Sequence, residues 1–556
     1  MVNAVQSAQP RLEFDYIIVG AGAAGAIIAS RLTEDPSITV CLIEAGGLDH
    51  NPYIHIPGGF IKTLFDPAYT WQFQTEPGDH IRGRRIQISQ GRTLGGTSAI
   101  NGMVYNRGQP ADFDAWCQSG NAGWSYAEVL PYFQRTERAV ALGDDSWRGR
   151  KGPVTVTATD WHHPLCDAFV AGAGSLGIPE AVDYNGPNQE GAGYFQRTID
   201  RGWRVSTARA YLKPARRRSN LNIIMHAQVS RILFEGPRAI GVAYIRKGEP
   251  GVPRKVGARR EVIVSAGTIN TPRLLQISGV GSIQTLTDIG VPVVHELPGV
   301  GENFRDHYSI RFVARVKDQV TMNQTARGFG LCIEIARWLL GRPSILAISP
   351  SVAHVFWKSD ESLSAPDLQC FLTPGSYKGG VFGLLDDFPG LTSGVYQHRP
   401  ESTGFVRARS SDPFEKPAVQ PNYLADPIDQ QVLVRGMQLV RRLFSTPQMA
   451  RFIDEEITPG PGVRTEDEML DFARSNGLTS YHLIGTSRMG PSNDPTSVVD
   501  HELRVHGLSG LRVADASIMP RMPSGNTYAS TMMIAEKAAD MILGRKAPEP
   551  VKLEGI

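Results

Sequence analysis

The chain has 556 residues, more than one hydrophobic core usually holds, so at least two domains are expected. Apolar residues make up 41% and charged residues 20%, with a net charge of +2; this excludes a disordered chain and the basic footprint of a nucleic-acid binder. Five cysteines (Cys41, Cys117, Cys166, Cys332, Cys370) lie far apart without a CxxC pair, which excludes a disulfide scaffold and a cysteine-based zinc site, and no metal is expected.

Residues 1–11 are polar and lack the apolar core of a signal peptide. No run of about 18 or more apolar residues is present, so no transmembrane segment is expected. The first predicted strand is FDYIIVG, residues 14–20, β-branched and apolar. Ala24, Ile27, Ile28 and Leu32 then make the stripe of an amphipathic helix that Pro36 stops. A second strand, ITVCLIEAG, follows at 38–46, so strand, helix and strand fit a βαβ unit of about 30 residues. From 221 to 264 the runs LNIIMHAQVSRILF, AIGVAYIRK and REVIVSAG predict an antiparallel meander that returns to the parallel sheet. The mixed stretch 306–476 holds a glycine-rich loop, GSYKGGVFGLLDDFPG, expected to be mobile and to cover a cleft. GLRVADASIMP predicts strand then turn. A helix over 527–543 follows, with Ile534, Ala538, Met541 and Ile542 on one face, closed by Gly544 and Pro548.

Gly20, Gly22 and Gly25 fit G-x-G-x-x-G between the first strand and helix. The first glycine makes the tight turn, the second admits a pyrophosphate, and the third lets helix and strand pack closely. Ala23 and Ala24 open a helix whose N-terminus suits phosphates. Glu44 lies about 20 residues on, where a carboxylate accepts from ribose hydroxyls. A dinucleotide is therefore expected; the motif does not separate FAD from NAD.

GRTLGGTSAINGMVYNRGQPADFD (91–114) and GTINTPRLLQISGVG (267–281) resemble the two signatures of the glucose–methanol–choline (GMC) oxidoreductases, in the bacterial alcohol, choline and L-sorbose dehydrogenase branch. The resemblance covers about 14–543. It implies an α/β fold: a doubly wound, Rossmann-like FAD domain with an α+β substrate domain built on an antiparallel sheet. The expected division is 1–155, 221–310 and 485–556 for FAD, and 156–220 with 311–484 for substrate. Gly91, Leu94 and Gly95 belong to a loop whose glycines are expected to leave backbone N–H groups uncovered along the cofactor. The resemblance places Asn101, Gly102, Met103 and Val104 at the flavin, Val229 at the adenine, and Asp515 with Ala516 at a second pyrophosphate or ribityl contact. Ala266, Gly267 and Tyr481 are further expected contacts, and the helix starting at Thr527 would point its positive end at the flavin pyrimidine ring. Some members link FAD through a histidine before the asparagine; Ile100 stands there, so FAD is expected without a covalent link.

His482 in SYHLIGTSRMG and Asn526 in SGNTYAS match the family's catalytic histidine and its second His/Asn position. A neutral imidazole, with a reference pKa near ~6.5, suits removal of an alcohol proton while hydride passes to flavin N5. Asn526 holds the alcohol oxygen and also suits a helix N-cap. His307, in NFRDH, reads as structural, and the adjacent His162 and His163 as solvated. No nucleophile elbow, HExxH or Walker loop is present.

The expected reaction is FAD-dependent oxidation of a primary alcohol to the aldehyde; the alternative is a redox-silent hydroxynitrile lyase of the same family. Choline-oxidising relatives carry an acidic residue near the position of Val352, so a neutral alcohol of a sugar, polyether or aryl carbinol is expected rather than choline. The partners are that alcohol and an electron acceptor: oxygen, a quinone or another carrier. The expected location is cytoplasmic, peripheral to a membrane if the acceptor is a quinone.

Overall fold

The β-branched run after the polar leader forms the strand Leu12–Val19 in a computed structural model that describes residues 12–553 apart from 182, 250, 252 and 379–383. Ile17 and Ile18 are fully buried because both faces of this strand are covered, as parallel sheets require. Leu12–Val19 pairs in parallel with Val40–Ile43 on one side and Arg254–Val264 on the other. The helix Ala23–Leu32 connects the first two strands and ends four residues short of Pro36, followed by its C-cap Thr33, whose hydroxyl donates to the Ala29 carbonyl.

The meander differs from expectation at its start. His226 takes a left-handed φ of 54° and splits the apolar run. Leu221–Ile224 therefore joins Val40–Ile43 as a parallel edge strand, while Ala227–Glu235 and Arg238–Arg246 pair antiparallel. Arg254–Val264 belongs to both patterns. Val256 and Gly257 pair antiparallel with Val242 and Gly241, and Val262–Val264 pairs in parallel with Leu511–Val513.

The carboxy-terminal helix Tyr528–Leu543 packs on Ala23–Leu32 and ends at Gly544 in the left-handed conformation. Nearly all its residues are buried, so it is a core helix rather than a surface helix with one apolar face. Glu536, with no exposed side-chain surface, is held by Arg31 of the first helix (2.9 Å) and by Arg135 (3.0 Å). Glu536→Ala would remove the buried carboxylate these guanidinium groups share and leave Arg31 to Glu34 and Arg135 to Asp540, a loss of about 1–3 kcal/mol. A clear fall in melting temperature is expected, whereas Glu536→Gln should lose less.

A second sheet runs in the order Ile453–Thr458, Tyr308–Val316, Gly390–Gln397, Leu368–Thr373, Ala353–Trp357, Gly191–Tyr194, all antiparallel. The helices Pro164–Ser175 and Pro427–Phe444 cover one face. A Cβ on Gly436 would lie 2.8 Å from Val395 Cγ2, so glycine sets how closely the longer helix sits. The uncovered face carries Ser309 and Arg311 opposite Tyr396 and Gly394, which in turn face Gln369 and Phe371. His163 is not solvated: its Nδ1 accepts from the Leu165 N–H, capping Pro164–Ser175, and its Nε2–H donates to the Val320 carbonyl (2.9 Å).

Candidate active site

A cavity runs from the carboxyl ends of the parallel strands to the uncovered face of the antiparallel sheet. At the strand ends it is lined by Gly20, Gly22, Ala23, Ala24, Glu44, Val229, Ala266, Gly267, Asp515 and Ala516. Gly20 has φ 98°, and a Cβ there would lie 2.4 Å from the Ser265 carbonyl oxygen. The N-cap of Ala23–Leu32 is Gly22, which has no side chain to cap the first-turn N–H groups; they face the cavity end suited to anions. Glu44 is buried, its two oxygens accepting from the Ala21 and Gly46 N–H groups at 2.8 Å each. Burial pushes its carboxyl up to about 7. Asp515 accepts from Gly267 N–H (2.8 Å) and the Thr271 hydroxyl (2.7 Å).

Three predicted residues do not line the cavity. Gly25 serves packing, since a Cβ would meet the Gly20 carbonyl at 1.9 Å. The N–H groups of Leu94 and Gly95 are spent on the carbonyls of Gly47 and Ala21. The glycines of 91–97 thus admit close chain contact rather than exposing a row of N–H donors, for Gly91 donates to Thr97 Oγ1 and Gly96 to the Thr93 carbonyl. Gly91 itself lines the cavity.

Farther along, Asn101, Gly102, Met103, Val104, Tyr481, Asn526 and Thr527 form the wall. Met103 (φ 61°) and Tyr481 (φ 63°) hold left-handed backbone, which side chains disfavour and which recurs at functional sites. Fully buried Arg204 donates to the Asn101 carbonyl (2.7 Å) and its Oδ1 (2.8 Å), fixing that loop; burial pulls its pKa down to about 9. Ser89 Oγ, Asn270 Oδ1 and Asn526 Oδ1, all on cavity-lining residues, are buried without a partner, as suits a wall made for a polar ligand. With the uncapped helix N-terminus and Glu44, these donors and acceptors fit a dinucleotide cofactor.

His482 and Asn526 meet: Asn526 Nδ2–H donates to His482 Nε2 at 2.9 Å. Close approach at Gly525 makes this possible, because a Cβ there would lie 2.0 Å from Asn106 Nδ2. Thr527, not Asn526, occupies the N-cap of Tyr528–Leu543, so the Asn526 amide is free for the histidine. On its other side, His482 Nδ1 lies 2.9 Å from His307 Nδ1, and His307 Nε2 lies 2.6 Å from the His398 carbonyl oxygen. The donor set fixes the tautomers. A carbonyl can only accept, so His307 carries its proton on Nε2 and offers Nδ1 as acceptor. His482 must then donate from Nδ1, leaving its Nε2 lone pair toward Asn526 and the cavity.

Burial, then the neighbouring His307, holds His482 well below the usual imidazole range; burial sets His307 at about 4. Asp306 accepts the His482 backbone N–H (2.8 Å) and the Tyr423 hydroxyl (2.6 Å), and burial raises its pKa to about 6. Sequence reasoning missed the work of Asp306 and His307; their place in NFRDH was the available signal. It also missed Arg311, a half-buried guanidinium on the cavity wall whose pKa is lowered by desolvation, against which Tyr481 and Tyr377 act. Val352 is buried in the second sheet's core and does not line the cavity. Tyr377 and Leu385 bridge antiparallel within the glycine-rich loop; residues 379–383, and the predicted cover with them, lie outside the described residues.

Comparison with known proteins identifies the pattern. The amino- and carboxy-terminal profiles of the GMC oxidoreductases match residues 14–309 and 400–535. The oxygen-dependent choline dehydrogenase of Cronobacter sakazakii is 40% identical over 539 residues, spanning 96% of both chains. That of Vibrio vulnificus is 39% identical over 97% of this chain and 95% of its own. Pyridoxine 4-oxidase from Mesorbium loti superimposes with a TM-score of 0.86 at 29% identity, over 96% of this chain and all of the other.

Proposed function

This chain belongs to the GMC oxidoreductases, and on that premise we propose that it oxidises a primary alcohol lacking a cationic group, with His482 as the base. It is an FAD-dependent alcohol oxidoreductase; FAD, when bound, supplies the hydride acceptor. Gly20, Gly22, Ala23 and Ala24 would hold the pyrophosphate, Glu44 and Val229 the adenosine, and Asp515 with Ala516 the inner phosphate or ribityl chain. Asn101–Val104, Tyr481 and Thr527 would hold the flavin.

The hydrogen-bond chain from the His398 carbonyl through His307 and His482 to Asn526 carries the mechanistic reading. It presents an unprotonated Nε2 to the cavity, so His482 takes the hydroxyl proton there. The Asn526 amide, shifting from Nε2 to the incoming alcohol oxygen, positions the carbinol without competing as a base. A hydroxynitrile lyase finds no support among the relatives, whose names are dehydrogenase and oxidase.

A non-covalent cofactor is supported by Ile100, an apolar side chain packed among Ile54, Leu64, Ala99 and Tyr481, which stands where some family members carry the linking histidine and cannot form that bond. Acid precipitation should release yellow flavin into the supernatant; flavin remaining with the pellet would refute this.

The two dehydrogenases named above are choline dehydrogenases, yet the cavity opposes a quaternary ammonium. Its lining carboxylates among the described residues, Glu44 and Asp515, sit at the nucleotide end, whereas Arg311 stands on the sheet wall beside Ser309 and Tyr396. Arg311, and not Val352, is thus the residue that disfavours choline. An anaerobic panel of alcohols scored by flavin bleaching should favour neutral or anionic alcohols, and Arg311→Met should narrow the gap to choline at least tenfold. Choline bleaching the parent as fast as the best neutral alcohol would overturn the assignment.

The same sheets support a two-part division of the chain, with one adjustment. Tyr308–Val316 lies wholly in the antiparallel sheet, so the boundary set at 310 belongs before Tyr308. Oxygen is the acceptor that the relatives' names support, with a quinone or other carrier as the second class. No described helix is long and apolar enough to cross a membrane.

A further inference from the structure

The helix Gly328–Leu339 is amphipathic the wrong way round. Phe329, Cys332, Ile333, Ala336, Leu339 and Leu340 recur at the spacing of one helical face, and all six are exposed. Phe329 is 81%, Leu339 70% and Leu340 72% exposed, the highest values among the described large apolar residues. The face toward the protein is instead polar in its contacts. Buried Glu334 accepts the Ile345 N–H (2.9 Å), and Trp338 Nε1–H donates to the Gly202 carbonyl (2.8 Å). A surface helix ordinarily buries its apolar stripe, so this arrangement leaves the stripe uncovered by the described residues and open to a partner.

Charge decides what that is. Arg327, Arg337 and Arg342 flank the stripe and are exposed, Arg327 pairing with Asp387 and Arg337 with Glu334. A second copy docked antiparallel along this helix about a two-fold axis would bring Arg327 of one copy toward Arg337 and Arg342 of the other, like charge against like. The stripe is also about 17 Å long at 1.5 Å per residue, too small by itself for the roughly 800 Å² per partner of a stable interface. Anionic headgroups answer the arginines, and the acyl boundary takes the apolar side chains. Trp203 stacks edge-on against Trp338 with 39% of its surface exposed, an amphipathic ring of the kind found at membrane interfaces.

We infer that Gly328–Leu339 is an interfacial helix that lays the protein on an anionic lipid surface. The helix abuts the turn Ile345–Ala347, which contacts Pro57–Gly59, and Phe60 beyond it lines the cavity. Docking would therefore set the bilayer beside that part of the cavity wall.

The holoenzyme should co-sediment with extruded vesicles of phosphatidylcholine and phosphatidylglycerol, and less with phosphatidylcholine alone. The combined change Phe329→Ser, Leu339→Ser, Leu340→Ser should weaken binding at least tenfold, while bleaching by a soluble alcohol stays at the parent rate and so reports an intact fold. An environment-sensitive dye on Cys332 should shift to the blue with anionic vesicles, and Cys332→Ser should abolish that change. A parent enzyme that stays in the supernatant with phosphatidylglycerol vesicles overturns the proposal. So does a dimer in sedimentation equilibrium that the triple variant splits without any vesicle binding, which would make a second copy the cover.

Discussion

His482→Ala is expected to slow anaerobic flavin bleaching about 10²–10⁴-fold, the usual loss for a general base, while FAD stays bound. The cofactor survives because the imidazole's ring contacts are to His307 and Asn526, not to the strand-end groups suited to the dinucleotide. The pH profile gives a sharper test. Proton removal needs neutral His482, and burial keeps this group neutral to well below its ordinary range. The parent rate should therefore be flat from about pH 6.5 upward, falling only on the acid side, rather than rising through an ordinary imidazole ionisation near ~6.5. Asn526→Ala should slow bleaching less and retain the acid limb. Stopped-flow reduction across the accessible pH range decides between these outcomes: a His482→Ala enzyme that bleaches at the parent rate places the base elsewhere.

His307→Phe should slow reduction roughly 5–150-fold, corresponding to the 1–3 kcal/mol that a buried donor loses without its partner. The phenyl ring offers nothing to His482 Nδ1–H, so the proton can move to Nε2, the wrong nitrogen for accepting one from the substrate. His307→Gln supplies an amide oxygen and should recover part of the rate. The acid limb carries a second signature. Replacing His307 removes both the acceptor of His482 Nδ1–H and the neighbouring imidazole that, after burial, depresses the His482 pKa, so the limb should be displaced in His307→Phe. A purely structural role for His307 predicts lower stability in both variants, with no rescue by glutamine and no displacement of the limb. His307 is thus a positioning residue acting through His482, and its effect should fall mainly on the rate of reduction rather than on alcohol affinity.

The nucleotide half was legible because its constraints are local. Gly20 and Gly25 are required by contacts within one strand–turn–helix, and Ile17, Ile18, Val40 and Leu42 form an uninterrupted buried parallel pair. His482 and Asn526 were named through the resemblance of SYHLIGTSRMG and SGNTYAS to the family's motifs, because one histidine among 13 carries no signal of its own. Other assignments depended on partners distant in the chain. The backbone of Gly91–Thr97 offered uncovered N–H groups until Ala21, Gly47 and Thr93 were seen to accept them. His307 is one imidazole among 13 histidines; its role arises when Tyr308–Val316 and the 478–482 segment meet and place its Nδ1 beside that of His482. Arg311 became a cavity cation through the pleat of its strand, which turns Ser309 and Arg311 to the same face. The stripe from Phe329 to Leu340 shows a helical period in sequence, but a period does not say which side meets the protein. Glu334 and Trp338, by bonding to Ile345 and Gly202, turn the apolar side outward. Sequence alone thus determined most of the elements through short-range sterics and a dinucleotide through motif spacing, while the type of chemistry came from the family resemblance. Tertiary structure decided which imidazole nitrogen carries the proton, which charge faces the substrate and which helix face is left for a partner, because each depends on groups that only folding brings within a few ångströms.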